Sequence, residues 1–466
     1  MAMDPSKLTS RVSSILKSGP GSGQAAGRPA IRRRLPSIEA AAEVLGASRW
    51  QVDGADCLVV ERSYVADHRH GVMSIGEYAA AASRSMDGFR LLGGDPGHRL
   101  DGLDGARRLL KGQLFFDLET TGLTGGAGTY AFLVGCGYFD GGTFQTRQFF
   151  LADHADERDL LRAVDEFVEP VRGLVTFNGR TFDVPLVAMR YAMHRLRSPF
   201  DALPHVDMLH PARRLWRHRR DASAESAAWR QAAGTSGGRE YASCALGALE
   251  QAILGFERVG DVPGAEIPGR YFEYIHRGDV MPLVGVFEHN RLDLVSLAGL
   301  TAIVLAMIEG GAAAARNPRE CLALGRLYEQ TGRIDRAKAC YAQAARVDDA
   351  PWQPAGDDRV TRAEALRSLA VHLRHERRHE EAAVLWQQIV EIDAGGHPAL
   401  VREAIEALAI HHEHRARDLE LARALASRAL EAEASARARA DLQRRLARLE
   451  RKLAGRLNLG ARRRLG

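Results

Sequence analysis

Cysteine is scarce in this chain of 466 residues. The five cysteines are scattered and odd in number, and no two of them have the C-x-x-C spacing of a zinc knuckle. The pattern therefore speaks against a disulfide framework and indicates reduced thiols in a cytoplasm.

Long apolar segments are also lacking. The longest, Val295–Ile308, is shorter than the roughly 20 residues that a transmembrane helix needs, and it follows the charged Arg291 and Asp293. We interpret it as a buried core helix. The first residues contain no apolar stretch of signal-peptide length, so we expect a cytoplasmic protein with no membrane role.

The net charge of +5 is unevenly distributed along the chain. Residues 1–36 hold seven Lys and Arg against one acidic residue, and residues 435–466 hold eleven against two. The remainder has 46 basic and 56 acidic residues. Basic arms attract polyanions without reading their sequence, although solubilising or targeting tails are an equally good interpretation of either arm.

Composition and pattern divide the chain into five parts. We predict a basic disordered arm at 1–36, an extension packed on the next domain at 37–111, an α/β domain at 112–310, helical repeats at 318–434, and a basic helix or tail at 435–466. A chain of this length is too long for one ordinary core. The role of residues 37–111 is left open.

The α/β domain has a distinctive order of elements. The predicted elements are strands at 114–119, 129–139 and 143–151, a helix at 156–168, a strand at 173–177 and a helix at 183–196. Three meandering strands followed by helix, strand and helix is the order of a ribonuclease H-like domain. We therefore predict a mixed sheet flanked by helices, followed by an all-α repeat domain.

The helical repeats share a pattern of small and large residues. The segment 323–345 predicts a helical hairpin, and the pattern returns at 368–390 and more loosely at 407–430. These copies resemble tetratricopeptide repeats. Such repeats commonly present a concave binding surface, so we expect a protein partner on them.

Asp117 and Glu119 lie two residues apart in the otherwise apolar run LFFDLE. On a strand they point to the same face. Burying two like charges side by side is costly, and divalent cations with oxygen ligands remove that cost. The alternative is that the strand frays there and both side chains face water.

Asp183 and Asp293 are candidates to complete a cation site. Asp183 follows the Asn178-Gly179 turn and opens a helix, where a simple N-cap is the common alternative. Asp293 lies on an apolar helix, one turn after His289, and no other partner is evident. A structural His–Asp pair is the competing interpretation.

Together the segments resemble the three motifs of the DEDD superfamily of 3′–5′ exonucleases. The D-x-E motif matches Asp117 and Glu119, the N-G-x-x-F-D-x-P motif contains Asn178 and Asp183, and the third motif supplies Asp293. Over most of the chain, FFDLETTGLTGGAGTYAFLVG, LVTFNGRTFDVPL and HNRLDLVSL, followed by repeats, resemble the YprB-like family of ribonuclease H-like exonucleases with tetratricopeptide repeats.

The resemblance implies two-metal hydrolysis of single-stranded DNA or RNA, with two Mg²⁺ or Mn²⁺ ions. Asp117 would bridge the ions, Glu119 and Asp293 would hold the first, and Asp183 would act on the second largely through water. His289 would orient or deprotonate the attacking water. The substrate-binding candidates are Thr120, Thr121, Gly122 and Asn178.

The general base departs from both familiar subclasses. One subclass has His five residues before the last Asp, where this chain has Glu288, and the other has Tyr four residues before it, where this chain has His289. The identity of the base therefore stays open.

Two further patterns have ordinary interpretations. Asp207 could be another site carboxylate or the cap of the following helix, and we favour the cap. A basic run could touch a nucleic-acid backbone, but such a run is more often a solvated helix face. It consists of Arg213, Arg214, Arg217, Arg219 and Arg220.

Three functional hypotheses remain. The first is an active 3′–5′ exonuclease on single-stranded DNA or RNA, and the second is a nuclease-like enzyme acting on short oligonucleotides. The third is a scaffold whose repeats bind a protein partner while the nuclease-like site is weak or idle. An intact set of four carboxylates favours activity, because buried charges cost stability.

Overall fold

The computed structural model describes residues 38–52, 55–84, 86–93, 112–122, 126, 128–216, 244–346, 358–392, 398–431 and 435–464. The predicted arm at 1–36 lies outside these residues, as do Arg217, Arg219 and Arg220 of the basic run. Arg213 and Arg214 are exposed on the last turn of a short helix.

A seven-stranded mixed sheet forms the centre of the first half of the chain. Its strands are β1 Ser48–Val52, β2 Ala55–Tyr64, β5 Gln113–Thr120, β6 Ala131–Asp140, β7 Thr143–Phe150, β8 Gly173–Thr176 and β9 His205–Asp207. The small hairpin of β3 Arg69–His70 and β4 Met73–Ser74 lies apart from it.

The order across the sheet is β1-β2-β7-β6-β5-β8-β9. The strands β5, β8 and β9 are parallel, and all other pairs are antiparallel. Gly141 and Gly142 both have positive φ and close the β6–β7 hairpin. The extension at 37–111 therefore does more than pack on the domain, because it supplies β1 and β2 as the outer strands of the same sheet.

Helices cover both faces of this sheet. They are α1 Ile38–Leu45, α2 Ile75–Arg84, α3 Met86–Gly93, α4 Glu157–Val168, α5 Asp183–Met193, α6 Leu209–Trp216, α7 Leu246–Leu249, α8 Ile267–Arg277 and α9 Met281–Gly310. Leu114, Phe116 and Leu118 of β5 pack with α4, α5 and α8, while Phe115 packs on the opposite face with α2, α6 and the second half of α9. The two cores follow directly from the alternation of side chains along β5.

Helix α9 is long and apolar. Among the described residues, one helical segment, Met281–Ala314, could span a membrane by length and composition, yet 78% of its most apolar window is buried inside the protein. Core helices of soluble proteins pass the same test. The predicted buried helix at Val295–Ile308 is confirmed as the second half of α9.

Antiparallel helical hairpins follow α9. The helices are α10 Pro318–Gln330, α11 Ile334–Ala345, α12 Asp358–His375, α13 His379–Ile392, α14 Pro398–His411, α15 Leu419–Glu431 and α16 Ala436–Arg464. Asn317 caps α10 by accepting a hydrogen bond from the Glu320 amide. Gly325 allows the ring of Tyr341 to approach, because a Cβ there would lie 2.4 Å from it.

The first hairpin shares a core with the sheet domain. Val304, Met307 and Ile308 of α9 belong to the same buried cluster as Leu324 and Tyr341 of the hairpin. The sequence placed a domain boundary between residues 310 and 318. The chain does pass from sheet domain to repeats there, but the apolar core continues across it.

Candidate active site

Strand β5 presents two carboxylates on one face. Asp117 and Glu119 alternate with Leu118 and so share the face of Phe115, which α9 covers. Glu119 is buried and Asp117 is partly buried. The pairing of β5 with β6 becomes irregular at Glu119 and Thr120. The interpretation that the strand frays and both side chains face water is therefore wrong.

The carboxyl end of the neighbouring strand β8 delivers Asp183. After Thr176, Asn178 adopts a left-handed conformation with φ of 67°. Gly179 lies so close to Thr176 that a Cβ would clash with it at 2.6 Å. This tight turn leads to α5, whose first residue, Asp183, is buried.

Asp207 holds this turn in place. Its Oδ1 accepts hydrogen bonds from the Asn178 amide at 2.8 Å and the Leu209 amide at 3.0 Å, and its Oδ2 accepts one from the Arg180 amide at 3.1 Å. The bond from Leu209 confirms the predicted helix cap. The other two show that Asp207 also fixes the backbone that leads to Asp183.

Helix α9 brings Asn290 onto the Asp117 carboxylate. Asp117, Gly135 and Gln148 are cross-strand neighbours on β5, β6 and β7. Asn290 lies above Gly135, donates from Nδ2 to Asp117 Oδ2 at 2.8 Å and accepts from Gln148 Nε2 at 2.9 Å. Gln148 Nε2 also donates to the Phe287 carbonyl. Asn290 therefore orients Asp117 from a fully buried position.

The four predicted carboxylates all have raised pKa values. Burial is the largest cause, because it disfavours the charged form; it raises the pKa of Asp183 to about 7 and those of Asp117 and Glu119 well above their usual range. The pKa of Asp293 is raised as well, again chiefly by burial. The negative charge of Asp293 raises the pKa values of the other three further. The four acids therefore lie close enough for the charge of Asp293 to act on the other three.

Asp293 has a partner that the sequence did not reveal. Arg258 Nη2 donates to Asp293 Oδ1 at 2.5 Å, and His289 Nε2 lies 3.6 Å from Asp293 Oδ2. The sequence suggested His289 as the one competing partner of Asp293, and Arg258 is a further one. His289 in turn is bound through Nδ1 to Asp261 Oδ1 at 2.8 Å.

The predicted substrate-binding residues surround the end of β5 and the turn after β8. The Thr120 hydroxyl donates to the Gly122 carbonyl at 3.0 Å, and the Thr121 hydroxyl accepts from the Tyr130 amide at 2.9 Å. The exposed Asn178 accepts from the Thr181 hydroxyl at 2.9 Å. These side chains therefore hydrogen-bond within their own turns.

The donor set suits a hard divalent cation, since Mg²⁺ and Mn²⁺ prefer carboxylate oxygens. Within the described parts of the chain, no Lys, Arg or His side chain neutralises Asp117, Glu119 or Asp183. As the side chains stand, however, no three His, Cys, Asp or Glu residues within the described ranges form a ready-made metal-binding group. Three of the acids fit a cation chemically, and Asp293 is already paired.

Sequence reasoning missed Asn290, Gln148, Arg258 and Asp261. Asn290 stands beside a predicted base and three residues before Asp293, so its spacing on α9 was a usable signal. Arg258 and Asp261 lie in the irregular segment between α7 and α8. No periodicity marks such a segment.

Comparison with known proteins agrees with this architecture. Residues 114–305 match the family model described as the RNase_H superfamily. The uncharacterised protein YprB of Bacillus subtilis (strain 168) is 28% identical over 349 residues, which cover 74% of this chain and 74% of that protein. Nucleases of this fold generally use divalent metals and process nucleic acids. The chain thus combines a ribonuclease H-like domain, a mixed sheet flanked by helices, with a helical C-terminal region.

Proposed function

We propose that this protein is a metal-dependent 3′–5′ exonuclease that hydrolyses single-stranded DNA or RNA. The observation that carries the proposal is a group of four acids with raised pKa values, Asp117, Glu119, Asp183 and Asp293, contributed by three elements of a ribonuclease H-like domain. Glu119 and Asp183 are buried, and the other two are partly buried. Such a concentration of buried negative charge costs stability unless cations or function require it.

The position of each residue suggests its role in the proposed reaction. Asp117, Glu119 and Asp183 would hold divalent cations, which in such sites activate a water and stabilise the leaving oxygen. Asn290 keeps Asp117 in one orientation. His289 Nδ1 lies 2.8 Å from Asp261 Oδ1, and the other ring nitrogen, Nε2, faces Asp293 Oδ2. His289 is then placed to take a proton from the attacking water.

Digestion of labelled oligonucleotides tests this proposal. The full chain is incubated with single-stranded DNA and RNA and with Mg²⁺ or Mn²⁺, and the products of 5′-labelled and 3′-labelled strands are compared. We expect a ladder from the 5′ label and immediate release of a mononucleotide from the 3′ label. Asp117→Asn should lower the rate at least about 100-fold, as loss of a metal ligand exceeds the loss of an outer-shell group.

Asp140→Asn is the matched control, because this carboxylate lies exposed at the end of β6, away from the site. It should digest at the wild-type rate. Absence of cleavage on every substrate, or equal cleavage by Asp117→Asn, would overturn the proposal. Rapid cleavage of very short strands alone would point to an enzyme acting on short oligonucleotides.

A second proposed function, a protein-binding scaffold, rests on a groove of about 660 Å³ among the helical hairpins. Ion pairs alternate along it, with Arg326 bound to Glu364 at 2.8 Å and Arg367 to Glu403 at 2.6 Å. A partner segment carrying both charge signs would suit this lining. Chemical crosslinking of the full chain to a bound partner protein tests this function. Arg367→Glu in the groove should lower the amount of partner that is crosslinked, whereas Arg270→Glu on α8 should leave it unchanged.

A further inference from the structure

Arg258 occupies the acidic site as an internal cation. Its Nε donates to Glu250 Oε2 at 2.7 Å, its Nη1 to Asp261 Oδ2 at 3.2 Å, and its Nη2 to Asp293 Oδ1 at 2.5 Å. The arginine side chain is only 9% exposed. One guanidinium therefore joins three carboxylates, and all three of its nitrogens are in use.

A buried support holds Arg258 in this position. Glu250 is bound by Ser296, whose hydroxyl lies 2.7 Å from His70 Nε2, and the His70 nitrogen is 3.7 Å from Glu250. All three side chains are almost fully buried. Gly255, with φ of 66°, ends the π-helical turn Glu250–Leu254 and lets the chain reverse toward the site. Arg258 is thus a built-in part of the site and differs from a surface side chain that happens to reach it.

The pairing changes what Asp293 can offer to a metal ion. One of its oxygens is bound by Arg258, and the other faces His289. A guanidinium stays charged at every physiological pH, so it competes permanently with a divalent ion for this carboxylate. No arginine or lysine of the described ranges makes a comparable contact with Asp117, Glu119 or Asp183.

We propose that Arg258 takes the place of one of the two divalent ions. The protein then binds one ion tightly through Asp117, Glu119 and Asp183, and a second ion reaches Asp293 only by displacing Arg258. This inference rests on the proposed function only in assuming that the acids bind metal at all. The inference concerns the number of divalent ions bound by the free protein. This number can be measured without nucleic acid and without cleavage.

Calorimetric titration of the full chain with Mn²⁺, and counting of free Mn²⁺ by its electron paramagnetic resonance signal, test the inference. We expect one tight ion in the wild type and two ions in Arg258→Met, with the second site tightened at least about tenfold, the size of effect seen for groups that orient metal ligands. Adding Asp293→Asn to Arg258→Met should remove the gained ion, and Arg258→Lys should lie between wild type and Arg258→Met.

Arg291→Met is the matched control. Arg291 lies on α9 near Asp293 but pairs with Glu288, so its loss removes one positive charge without freeing Asp293. It should bind one ion, as the wild type does. An equal gain in Arg291→Met would mean that bulk charge alone sets the number of ions, and it would overturn the inference.

A double variant replaces Arg258→Met in the experiment if the single variant does not fold. If Arg258→Met fails to fold because Glu250 becomes an unpaired buried charge, the double variant Glu250→Gln, Arg258→Met removes that charge and is titrated instead. Two equivalent ions in the wild type, or no gain in that double variant, would overturn the inference alone. Absence of any Mn²⁺ binding in the wild type would overturn both the inference and the proposed nuclease.

Discussion

Gly135 determines where Asn290 can lie. It stands between Asp117 and Gln148 across three strands, and a Cβ at this position would be 2.2 Å from Asn290 Oδ1. The missing side chain makes room for an amide that bridges Asp117 and a buried glutamine. A glycine in a strand interior weakens the strand, and here that cost allows a helix side chain to reach the sheet.

Gly135→Ala should therefore separate Asn290 from Asp117. We expect overpacking to cost about 1–3 kcal/mol and, in addition, a loss of Mn²⁺ affinity and of nuclease rate, because Asp117 loses its orienting donor. Thermal unfolding measures the first effect, and calorimetry and oligonucleotide digestion measure the second.

Gly137→Ala provides the comparison for this prediction. A Cβ there would meet the ring of Phe144 at 2.5 Å, in the same strand, with no contact to Asn290 among its three nearest atoms. Its stability should fall by a similar amount while its Mn²⁺ affinity stays at the wild-type value. If both variants lose metal binding alike, Gly135 has no special relation to the site.

The acids of β5 were predictable because a strand has a period of two residues. Asp117 and Glu119 must share a face, and the apolar neighbours imply that this face is buried. Arg258 and Asp261 were not predictable in the same way. They come from an irregular segment whose path depends on Gly255 and on the packing of α8, and only the folded chain places them against Asp293.

At the scale of elements, the Arg-rich helix α16 packs its leucines on α15 and pairs several of its cations with Glu413. Glu413, in the π-helical turn His412–Ala416, accepts from Arg445 at 3.0 Å, from Arg448 at 2.8 Å and from Lys452 at 2.8 Å. Its side chain is fully buried beneath them. Three basic side chains of the tail that was predicted to bind polyanions are thus bound to Glu413 within the protein.

This contact makes stability depend on pH. Hydrogen bonds from Arg448 chiefly lower the pKa of Glu413 to about 2 from an ordinary value of 4.5. The folded state therefore holds this proton less tightly than the unfolded state does, so the stabilisation is complete above pH 4.5 and is lost as the pH falls toward 2.

Comparison of the wild type with Glu413→Gln measures this contribution. The difference between their unfolding midpoints, followed by circular dichroism, should be largest above pH 5 and should shrink between pH 4.5 and pH 2. Glu420→Gln, which removes a carboxylate exposed on α15, should show no such trend. A constant difference across this range would contradict this role of Glu413.

The outer strands show the limit of element prediction. Residues 37–111 were predicted only as an extension packed on the next domain, because local pattern does not say which strand pairs with which. The observed β2 pairs with β7, about ninety residues later in sequence. Likewise, the helical hairpins followed from their periodicity, whereas the packing of α16 on Glu413 depends on a contact between distant residues.

At the scale of the whole molecule, the sheet domain and the first hairpin behave as one packing unit. Besides the shared core, Trp216 Nε1 on α6 donates to Glu320 Oε1 on α10 at 2.9 Å, and Arg316 binds the same carboxylate. Trp216 and Glu320 are both buried. The nuclease-like domain is therefore completed by a helical hairpin that the sequence assigned to the repeats.

Two shortened chains test this unit. A chain ending at residue 346 keeps the first hairpin, and we expect it to unfold cooperatively near the temperature of the full chain. A chain ending at residue 316 exposes Val304, Met307 and Ile308 and leaves Trp216 without Glu320. It should be insoluble or should unfold at a clearly lower temperature. Equal unfolding temperatures would mean that the sheet domain is self-sufficient.

Helix α9 fixes the rotational position of the repeats relative to the acidic site. It carries Asp293 in its first half and the contacts to the first hairpin in its second half. Each residue of an α-helix advances the chain by about 1.5 Å and turns it by about 100°. A single inserted or deleted residue between Asp293 and Ile308 would therefore rotate the whole repeat array around the helix axis. Lengthening a loop has no such effect, so variation in length among related chains should be found in the loops and should be absent from this stretch.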